Sequence, residues 1–388
     1  MISIEEYVYF SIIFFYSIIF LLYIYIGYEK IINSYKSKRL KRYSRRIIPY
    51  IDVIINRIMN GEGIREYVLD NIKHLAENKD KRQIIAVRLV YYLENFKGDF
   101  IPKIVRIGEY SGIVKYEIKV LEDNNNFKKA LAAKWLGELR SRKAIPALLK
   151  QIETPSSDVK YNILLALAKI GEESSFIKAF EAINSAVILS ERSLIEIVDS
   201  FQGDKISIYR QMLNSSNAFI ASVFIRSAGN YKNMCLSHEI SKYFVSEEKE
   251  LRIAAVKAMG SIGDRRYLDD MIKLIEDDEW EVRAVTAKAL SNFSRDEKIL
   301  LPLAKALSDT QWYVRYNAAA SILNHDEGMS VISYVFKGED KFAKDIFISA
   351  LENSPNNQLY LYENSGNARK VELAFQIRKY IEMRRQAA

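Results

Sequence analysis

An all-α solenoid joined to one membrane-spanning helix is the fold class that the sequence predicts. Two segments, DDEWEVR at 277–283 and DTQWYVR at 309–315, share the pattern D-x-x-W-x-V-R and lie 32 residues apart. A period of that length is typical of stacked helical repeats, in which one unit cannot bury its apolar face alone. A long uncharged run near the N-terminus adds the membrane helix.

Residues 7–28 are the core of the predicted anchor, because none of these 22 residues is charged. A helix of this length, at about 1.5 Å per residue, spans the roughly 30 Å hydrocarbon core of a bilayer. A cleaved signal peptide fits poorly, since no basic segment precedes the run and the run is too long. A buried helix of a soluble protein would seldom be apolar on every face. We therefore predict a transmembrane anchor at residues 1–28.

A basic segment follows at residues 29–48, and we expect it to form a juxtamembrane helix that ends at Pro49. The positive-inside rule then places the N-terminus outside and the body in the cytoplasm of a bacterial cell. The side chains expected at anionic lipid headgroups are Lys36, Lys38, Arg39, Lys41, Arg42, Arg45 and Arg46. Specific binding of a phospholipid or a nucleic acid is the sharper alternative for this segment.

The charge of the body argues against a general nucleic-acid surface. The formal net charge is +8; residues 29–46 contribute +7 and residues 1–28 contribute −2, which leaves +3 for residues 47–388. A nucleic acid is therefore an unlikely partner. The single Cys235 excludes an internal disulfide and fits a reducing compartment.

Residues 49–123 read as helical hairpins, with predicted helices at 50–60, 64–77, 82–96, 100–109 and 113–122. The sequence leaves open whether they are divergent repeats or an N-terminal cap. The regular array follows at 124–353. Its equivalent positions Val159 and Leu251 lie 92 residues apart, about three periods, which predicts two weak copies near 190 and 220.

The C-terminal segment, 354–388, is predicted to cap the array. Residues 368–385 suit a helix that covers the last repeat with Val371, Ala374, Phe375, Ile377 and Ile381.

The strong copies follow the pattern V-R/K-x-x-A-x-x-A-L-x-x-I-G-D and then x-A-I-P-x-L-x-x-x-L. The pattern is clearest in Leu251–Glu276, Val282–Ser308 and Lys128–Glu153. These segments resemble the HEAT-repeat family, in particular the short HEAT-like repeats of phycobilisome lyases, over about residues 124–352. Lys129 and Lys160 depart from it where the motif has arginine. The resemblance implies the fold and says little about function.

Several motif residues have predicted structural roles. Asp277 and Asp309 precede helices and suit their N-terminal caps. The motif arginines are expected to form a ladder with aspartates of adjacent repeats. The alanines allow neighbouring helices to approach closely, and left-handed C-caps are expected at Gly137, Gly171 and Gly263.

Trp280 and Trp312 have two possible roles, packing at a repeat edge or contact with a partner, since tryptophan is enriched in interface hot spots. In related stacks the second helix of each repeat lines the concave face. The predicted partner-binding residues are therefore Arg142, Lys143, Lys150, Lys178, Arg265, Arg266, Tyr267, Lys273, Trp280 and Trp312.

No catalytic, metal-binding or cofactor-binding set is apparent in the sequence. The three histidines include His238, three residues from Cys235, but two ligands do not make a zinc site. We expect a non-enzymatic scaffold at the plasma membrane, without a cofactor, that binds a protein such as a membrane enzyme or transport complex, for example a polysaccharide synthase. The alternatives are a lyase-like enzyme acting on a protein-bound cofactor and a nucleic-acid-binding repeat protein.

Overall fold

The structure is all-α, as predicted. The computed structural model describes residues 4–183, 189–325, 327–354 and 358–387, and within these ranges it contains helices and no strands. The chain divides into two compact units, Met1–Ile170 and Gly171–Ala388. The finer division into five segments stays a prediction.

The first unit consists of helical hairpins that follow one long helix. The predicted helices between residues 64 and 122 agree with α2–α5 to within a few residues at each end. The elements are α1 (Ile4–Met59), α2 (Glu66–Glu77), α3 (Lys79–Asn95), α4 (Ile101–Tyr110), α5 (Ile113–Leu121), α6 (Asn126–Glu138), a 3₁₀ turn (Arg142–Ala144), α7 (Ile145–Lys150) and α8 (Ser157–Ile170).

Helix α1 has an exposed N-terminal part and a buried C-terminal part. Its described portion from Ile12 to Met59 contains an 18-residue window with a mean hydropathy of 1.8, and none of that window is buried. A helix of this length and composition can cross a membrane. The C-terminal part is different, because Ile51, Ile55 and Ile58 are at most 2% exposed.

Pro49 lies inside α1, so the prediction that it ends a helix is wrong. A proline within a helix costs about 3 kcal/mol, because it removes a backbone hydrogen bond and crowds the preceding turn. Full burial of one isoleucine side chain contributes about 1.5–3 kcal/mol, and several are buried just after Pro49. Asp52 also accepts two hydrogen bonds from Arg88 of α3, at 2.5 and 2.8 Å. Tertiary packing therefore carries the helix through the proline, and the predicted boundaries after residues 28 and 48 both fall within it.

The second unit continues the hairpin pattern. Its α-helices are α9 (Glu173–Glu181), α10 (Glu191–Asp199), α11 (Lys205–Met212), α12 (Ala218–Tyr231), α13 (Ser237–Ser241), α14 (Lys249–Ile262), α15 (Leu268–Lys273), α16 (Trp280–Leu290), α17 (Leu300–Ala306), α18 (Trp312–Leu323), α19 (Gly328–Lys337), α20 (Lys341–Glu352), α21 (Gln358–Glu363) and α22 (Ala368–Ala387). Short 3₁₀ turns lie at Met234–Leu236, Lys242–Val245, Arg265–Tyr267, Leu274–Glu276, Ser291–Phe293 and Glu297–Ile299.

The two weak copies predicted from the spacing are present as helical hairpins, α10 with α11 and α12 with α13. The first helices of successive repeats pack against one another through small residues. A Cβ added at Gly229 would lie 2.6 Å from the Cα of Ala258, and one added at Gly260 would lie 2.8 Å from the Cβ of Ala289. The close approach predicted for these helices is therefore confirmed, and it requires glycine at one side of the contact.

Gly137 has this packing role as well, so its predicted role as a left-handed C-cap is wrong. It lies inside α6, and an added Cβ would lie 2.5 Å from the Cα of Ala166. The residue with positive φ after α6 is Arg140, at 53°. The other two predicted caps are confirmed, since φ is +72° at Gly171 and +74° at Gly263.

Helix α22 is the predicted C-terminal helix, but its buried face differs from the prediction. Ala374 and Ile377 are buried as expected, together with Leu373. Val371 and Phe375 are 42% and 65% exposed. The buried face is therefore rotated relative to the predicted one, because the packing of α22 on α19 and α21 selects the face that is covered.

Candidate functional site

An arginine ladder holds the loops that precede the tryptophan helices. Arg252 donates to both carboxylate oxygens of Asp277, each at 2.9 Å, and Arg283 donates to those of Asp309 at 2.7 and 3.1 Å. The Nη1 atom of Arg283 also donates to the backbone oxygen of Asp277 at 2.8 Å, and Arg315 does the same to that of Asp309 at 2.7 Å. Each arginine thus fastens the loop before its own helix, and Arg252 and Arg283 also bind the aspartate of the next repeat. The predicted ladder is confirmed.

The two aspartates do not cap their helices in the way the sequence predicted. Asp277 accepts a hydrogen bond from the amide of Glu279 at 2.9 Å, and Asp309 accepts one from Gln311 at 2.8 Å. Those amides belong to the residues just before the helices, so the two carboxylates stabilise the loops and do not cap amides of the first helical turn. Burial alone would raise the pKa of Asp309, but the hydrogen bonds from Arg283 and from the Gln311 amide hold it below its ordinary value.

An aromatic cluster lies directly after these loops; we define it as Trp280, Trp312, Tyr313 and Tyr316. The ring of Trp280 stacks on Tyr313 with centroids 5.9 Å apart, and Trp312 stacks on Tyr316 at 4.9 Å. Trp312 also contacts Tyr313 edge to face at 5.2 Å. Trp312 and Tyr313 are 45% and 60% exposed, and Trp280 is half-buried. Neither tryptophan is enclosed between repeats, so the cluster presents aromatic surface to solvent.

A cleft of about 440 Å³ lies in the second unit; we call it the basic cleft. Three cations line it from equivalent positions of α12, α14 and α16, namely Arg226, Lys257 and Lys288. Successive members of this set are 31 residues apart in the sequence. A parallel column of polar side chains, four residues further along the chain in each repeat, consists of Asn230, Ser261 and Asn292, the last of which lies in the 3₁₀ turn after α16. The small residues Ala258 and Ala289 also line the cleft. The repeat period therefore places one cation and one hydrogen-bonding group in each of three neighbouring repeats.

The cations of the basic cleft are unequally neutralised. Arg226 lies 2.8 Å from a carboxylate oxygen of Glu191 and 3.5 Å from one of Glu250. Within the part of the chain that the structure describes, Lys257 and Lys288 are exposed residues that form no ion pair. The pKa of Lys257 is lowered, first by partial burial and then by repulsion from Arg226. The cleft therefore has positive charge available for an anionic group.

The predicted groove residues lie elsewhere. In the first unit, Lys143 pairs with Glu109 at 2.9 Å, Lys150 lies 3.8 Å from Glu122, and Arg142 is exposed.

In the second unit, Lys178 and Arg265 are exposed, while Arg266 and Lys273 bind Asp264 and Asp270 at 2.6 and 2.7 Å. The hydrogen bond from Arg266 lowers the pKa of Asp264 to about 2. Tyr267 is half-buried, and its hydroxyl lies 3.4 Å from Nδ1 of His238.

None of these second-unit residues lines the basic cleft, because the first helices of the repeats form it. Their role in partner binding stays a prediction. The partner-binding residues predicted from the sequence do not include Arg226, Lys257 and Lys288, although the 31-residue spacing of these three is visible in the sequence. That signal is found by aligning the repeats and looking for recurring charge on the alanine-rich helices.

The basic segment of α1 presents its charged side chains to solvent, while Ile47 near its end is buried. All seven predicted membrane-surface side chains are exposed, and Arg39 also forms an ion pair with Asp80 at 2.6 Å. They are Lys36, Lys38, Arg39, Lys41, Arg42, Arg45 and Arg46.

A second cleft, of about 400 Å³, lies in the first unit beside Glu117. Burial raises the pKa of Glu117 to about 7. The nearby Arg82 stacks on the ring of Tyr116 at 3.6 Å and donates to the backbone oxygen of Ala76 at 3.1 Å. Among the described residues, no group of three or more His, Cys, Asp or Glu side chains is arranged to hold a metal. That the protein is not an enzyme stays a prediction.

Comparison with known proteins identifies the repeats. Residues 117–187 and 238–324 match the family model of HEAT repeats, which confirms the resemblance inferred from the motif. No curated protein matches the chain.

Three solved structures are similar over much of the chain. An engineered protein has 14% identity and a TM-score of 0.34, covering 81% of this chain and 98% of its own. The CpcE–CpcF complex of phycocyanin lyase from Nostoc sp. PCC7120 has 15% identity and a TM-score of 0.30, covering 69% and 94%. YibA of E. coli has 14% identity and a TM-score of 0.33, covering 76% and 98%.

Proposed function

Because residues 117–187 and 238–324 are HEAT repeats in an all-α solenoid, we propose that this chain is a membrane-anchored scaffold that binds a protein partner. The aromatic cluster is the observation that carries the partner-binding part. Its rings are partly exposed, and the Arg283–Asp309 pair fastens the loop beneath them. Rigid aromatic side chains lose little entropy on binding and are enriched in hot spots. The cluster thus has the properties of a protein-binding surface.

The membrane part of the proposal is supported by α1. Its apolar window has no buried residue, so the folded body leaves that surface uncovered. The seven exposed basic side chains that follow it favour an orientation with the body on the cytoplasmic side of the plasma membrane. Anchoring confines the repeats to the membrane, so the expected partner is a membrane enzyme or transport complex, such as a polysaccharide synthase. The scaffold itself needs no cofactor and no catalytic group.

Partner binding is tested by recovery of co-purifying proteins from detergent-solubilised membranes. We expect the double variant Trp312→Ala/Tyr313→Ala to recover a given partner at least about tenfold less, since hot-spot truncations cost about 2 kcal/mol or more. Tyr334→Ala/Phe342→Ala is the matched control, because those rings are 80% and 78% exposed outside the cluster. Equal recovery with both double variants would exclude the aromatic cluster as the binding surface.

Topology is tested with the native thiol. Cys235 is the single cysteine and is exposed. A membrane-impermeant maleimide should label it only after the cells are permeabilised. In a Cys235→Ser background, Ser3→Cys should be labelled in intact cells. Labelling of Cys235 in intact cells would contradict the cytoplasmic placement, and recovery of the protein in the soluble fraction would contradict the anchor.

A further inference from the structure

We propose that the basic cleft binds an extended acidic segment of a protein, in the polyproline II conformation with an acidic residue at every third position. The inference rests on the proposed function, since it specifies what part of a protein partner this unit recognises. Its basis is the pair of columns formed by the cations and the polar side chains of the three repeats that begin with α12, α14 and α16.

The spacing of the cations, together with the polar column beside them, indicates an extended ligand. Neighbouring packed helices lie about 8–10 Å apart, so Arg226, Lys257 and Lys288 repeat at about that interval. A polyproline II helix has 3 residues per turn and rises about 3.1 Å per residue, which brings every third side chain to the same side at about 9 Å intervals. An α-helix comes near this interval only at every second turn, about 10.5 Å, and its carbonyl groups are already hydrogen-bonded within the helix, so it would leave the polar column without acceptors. Successive carboxylates of the extended segment therefore meet Lys257 and Lys288.

The polar column suits the backbone of such a segment. A polyproline II chain makes no internal hydrogen bonds, so its carbonyl groups need donors. Asn230 donates one amide hydrogen to Asp199 and Asn292 donates one to the backbone oxygen of Gly260. Each amide keeps a second hydrogen, and the hydroxyl of Ser261 is exposed. These three groups lie four residues after the cations in the chain, so we expect them to reach the carbonyls between the acidic residues.

The charge distribution favours a peptide over a nucleic acid. Glu191 and Glu250 lie beside Arg226, and their carboxylates would repel a continuous phosphate backbone. A peptide avoids this repulsion, because it can place its carboxylates opposite Lys257 and Lys288 and an uncharged residue opposite Arg226. Lys257 and Lys288 form no ion pair among the described residues, although Glu191 and Glu250 attract Lys257 at longer range, and the two lysines supply the attraction for the peptide.

The experiment measures binding of a fluorescein-labelled peptide, Glu-Pro-Pro repeated four times, to the detergent-solubilised full-length protein by fluorescence anisotropy. We expect saturable binding that the double variant Lys257→Gln/Lys288→Gln weakens by about tenfold or more, since it removes two charge-assisted contacts. Lys337→Gln/Lys341→Gln is the matched control, with the same change of charge on exposed lysines of α19 and α20. Thermal melts of all three proteins should coincide, because every substituted side chain is exposed.

Three outcomes would overturn the proposal. One is equal binding by the cleft variant and the control variant. Another is equal binding of a peptide with the same composition but four contiguous glutamates, which would mean that spacing has no effect. The third is tighter binding of a 12-nucleotide oligothymidylate that the cleft substitutions abolish, which would assign the cleft to nucleic acid. The assay is independent of the aromatic cluster, so its failure leaves the partner-recovery test of the scaffold function intact.

Discussion

Replacing Arg283 by alanine tests whether the arginine ladder is structural. The side chain makes two hydrogen bonds to the Asp309 carboxylate and two to backbone oxygens of the loop at Asp277 and Asp278, at 2.8 and 3.0 Å. The Arg283 and Asp309 side chains are 16% and 11% exposed. Removing one partner of a buried pair costs about 3–5 kcal/mol, and the partial exposure places this pair at the lower end, near 3 kcal/mol. For a unit of this size we expect the midpoint of thermal unfolding to fall by about 6–12 °C.

Arg315→Ala is the matched control for this substitution. Arg315 makes the same two backbone contacts, to Asp309 and Thr310 at 2.7 and 3.1 Å, but its Nε is buried without a hydrogen-bond partner among the described residues. We expect Arg315→Ala to lower the midpoint by about half as much, because it removes hydrogen bonds only to uncharged backbone oxygens. Far-UV circular dichroism measures the midpoint for both variants. An equal loss in both variants would refute the contribution of the carboxylate. If Arg283→Ala lowered partner recovery more than stability, the structural assignment itself would be wrong.

Two further predictions concern packing and pH. Gly229→Ala should destabilise the protein by about 1–3 kcal/mol in denaturant titrations, because the new methyl group meets the backbone of Ala258, whereas Gly63→Ala, whose methyl group meets nothing within 4 Å, should be nearly neutral. Glu117 has its pKa raised from 4.5 to about 7 by burial, so the folded state holds the proton more tightly and stability falls as pH rises from about 4.5 to 7. Glu117→Gln should remove that fall, and an unchanged pH profile of the thermal midpoint would contradict it.

The repeat architecture could be predicted because its determinants are local and recur. The 32-residue spacing of Val282 and Val314 sets the period, and a gap of about three periods between Val159 and Leu251 predicted the hairpins α10–α11 and α12–α13. Each repeat packs only on its neighbours, so the same short pattern must reappear wherever the stack continues. The paired Arg283 and Asp309 were predictable for the same reason.

Two local rules failed where packing opposed them. Pro49 favours a helix end, but the buried isoleucines after it keep α1 intact to Met59. Gly137 looked like a C-cap, but the approach of Ala166 makes it a contact between helices, and Arg140 takes the left-handed conformation instead. Propensities describe an isolated segment, and a buried contact worth several kcal/mol overrides them.

The helical class, the repeat period, the apolar N-terminal helix and the Arg–Asp pairs can all be read from the sequence, since each follows from residue type at a fixed spacing. Which helix face lines a cleft, and which charges lack an ion pair, depends on how the helices pack. Lys257 and Lys288 line one cleft only because α14 and α16 pack through Gly260 and Ala289, and Trp280 stacks on Tyr313 only across a repeat boundary. The residues of these pairs are 29 to 33 positions apart in the chain, and their geometry depends on how whole helices stack, which no single repeat encodes.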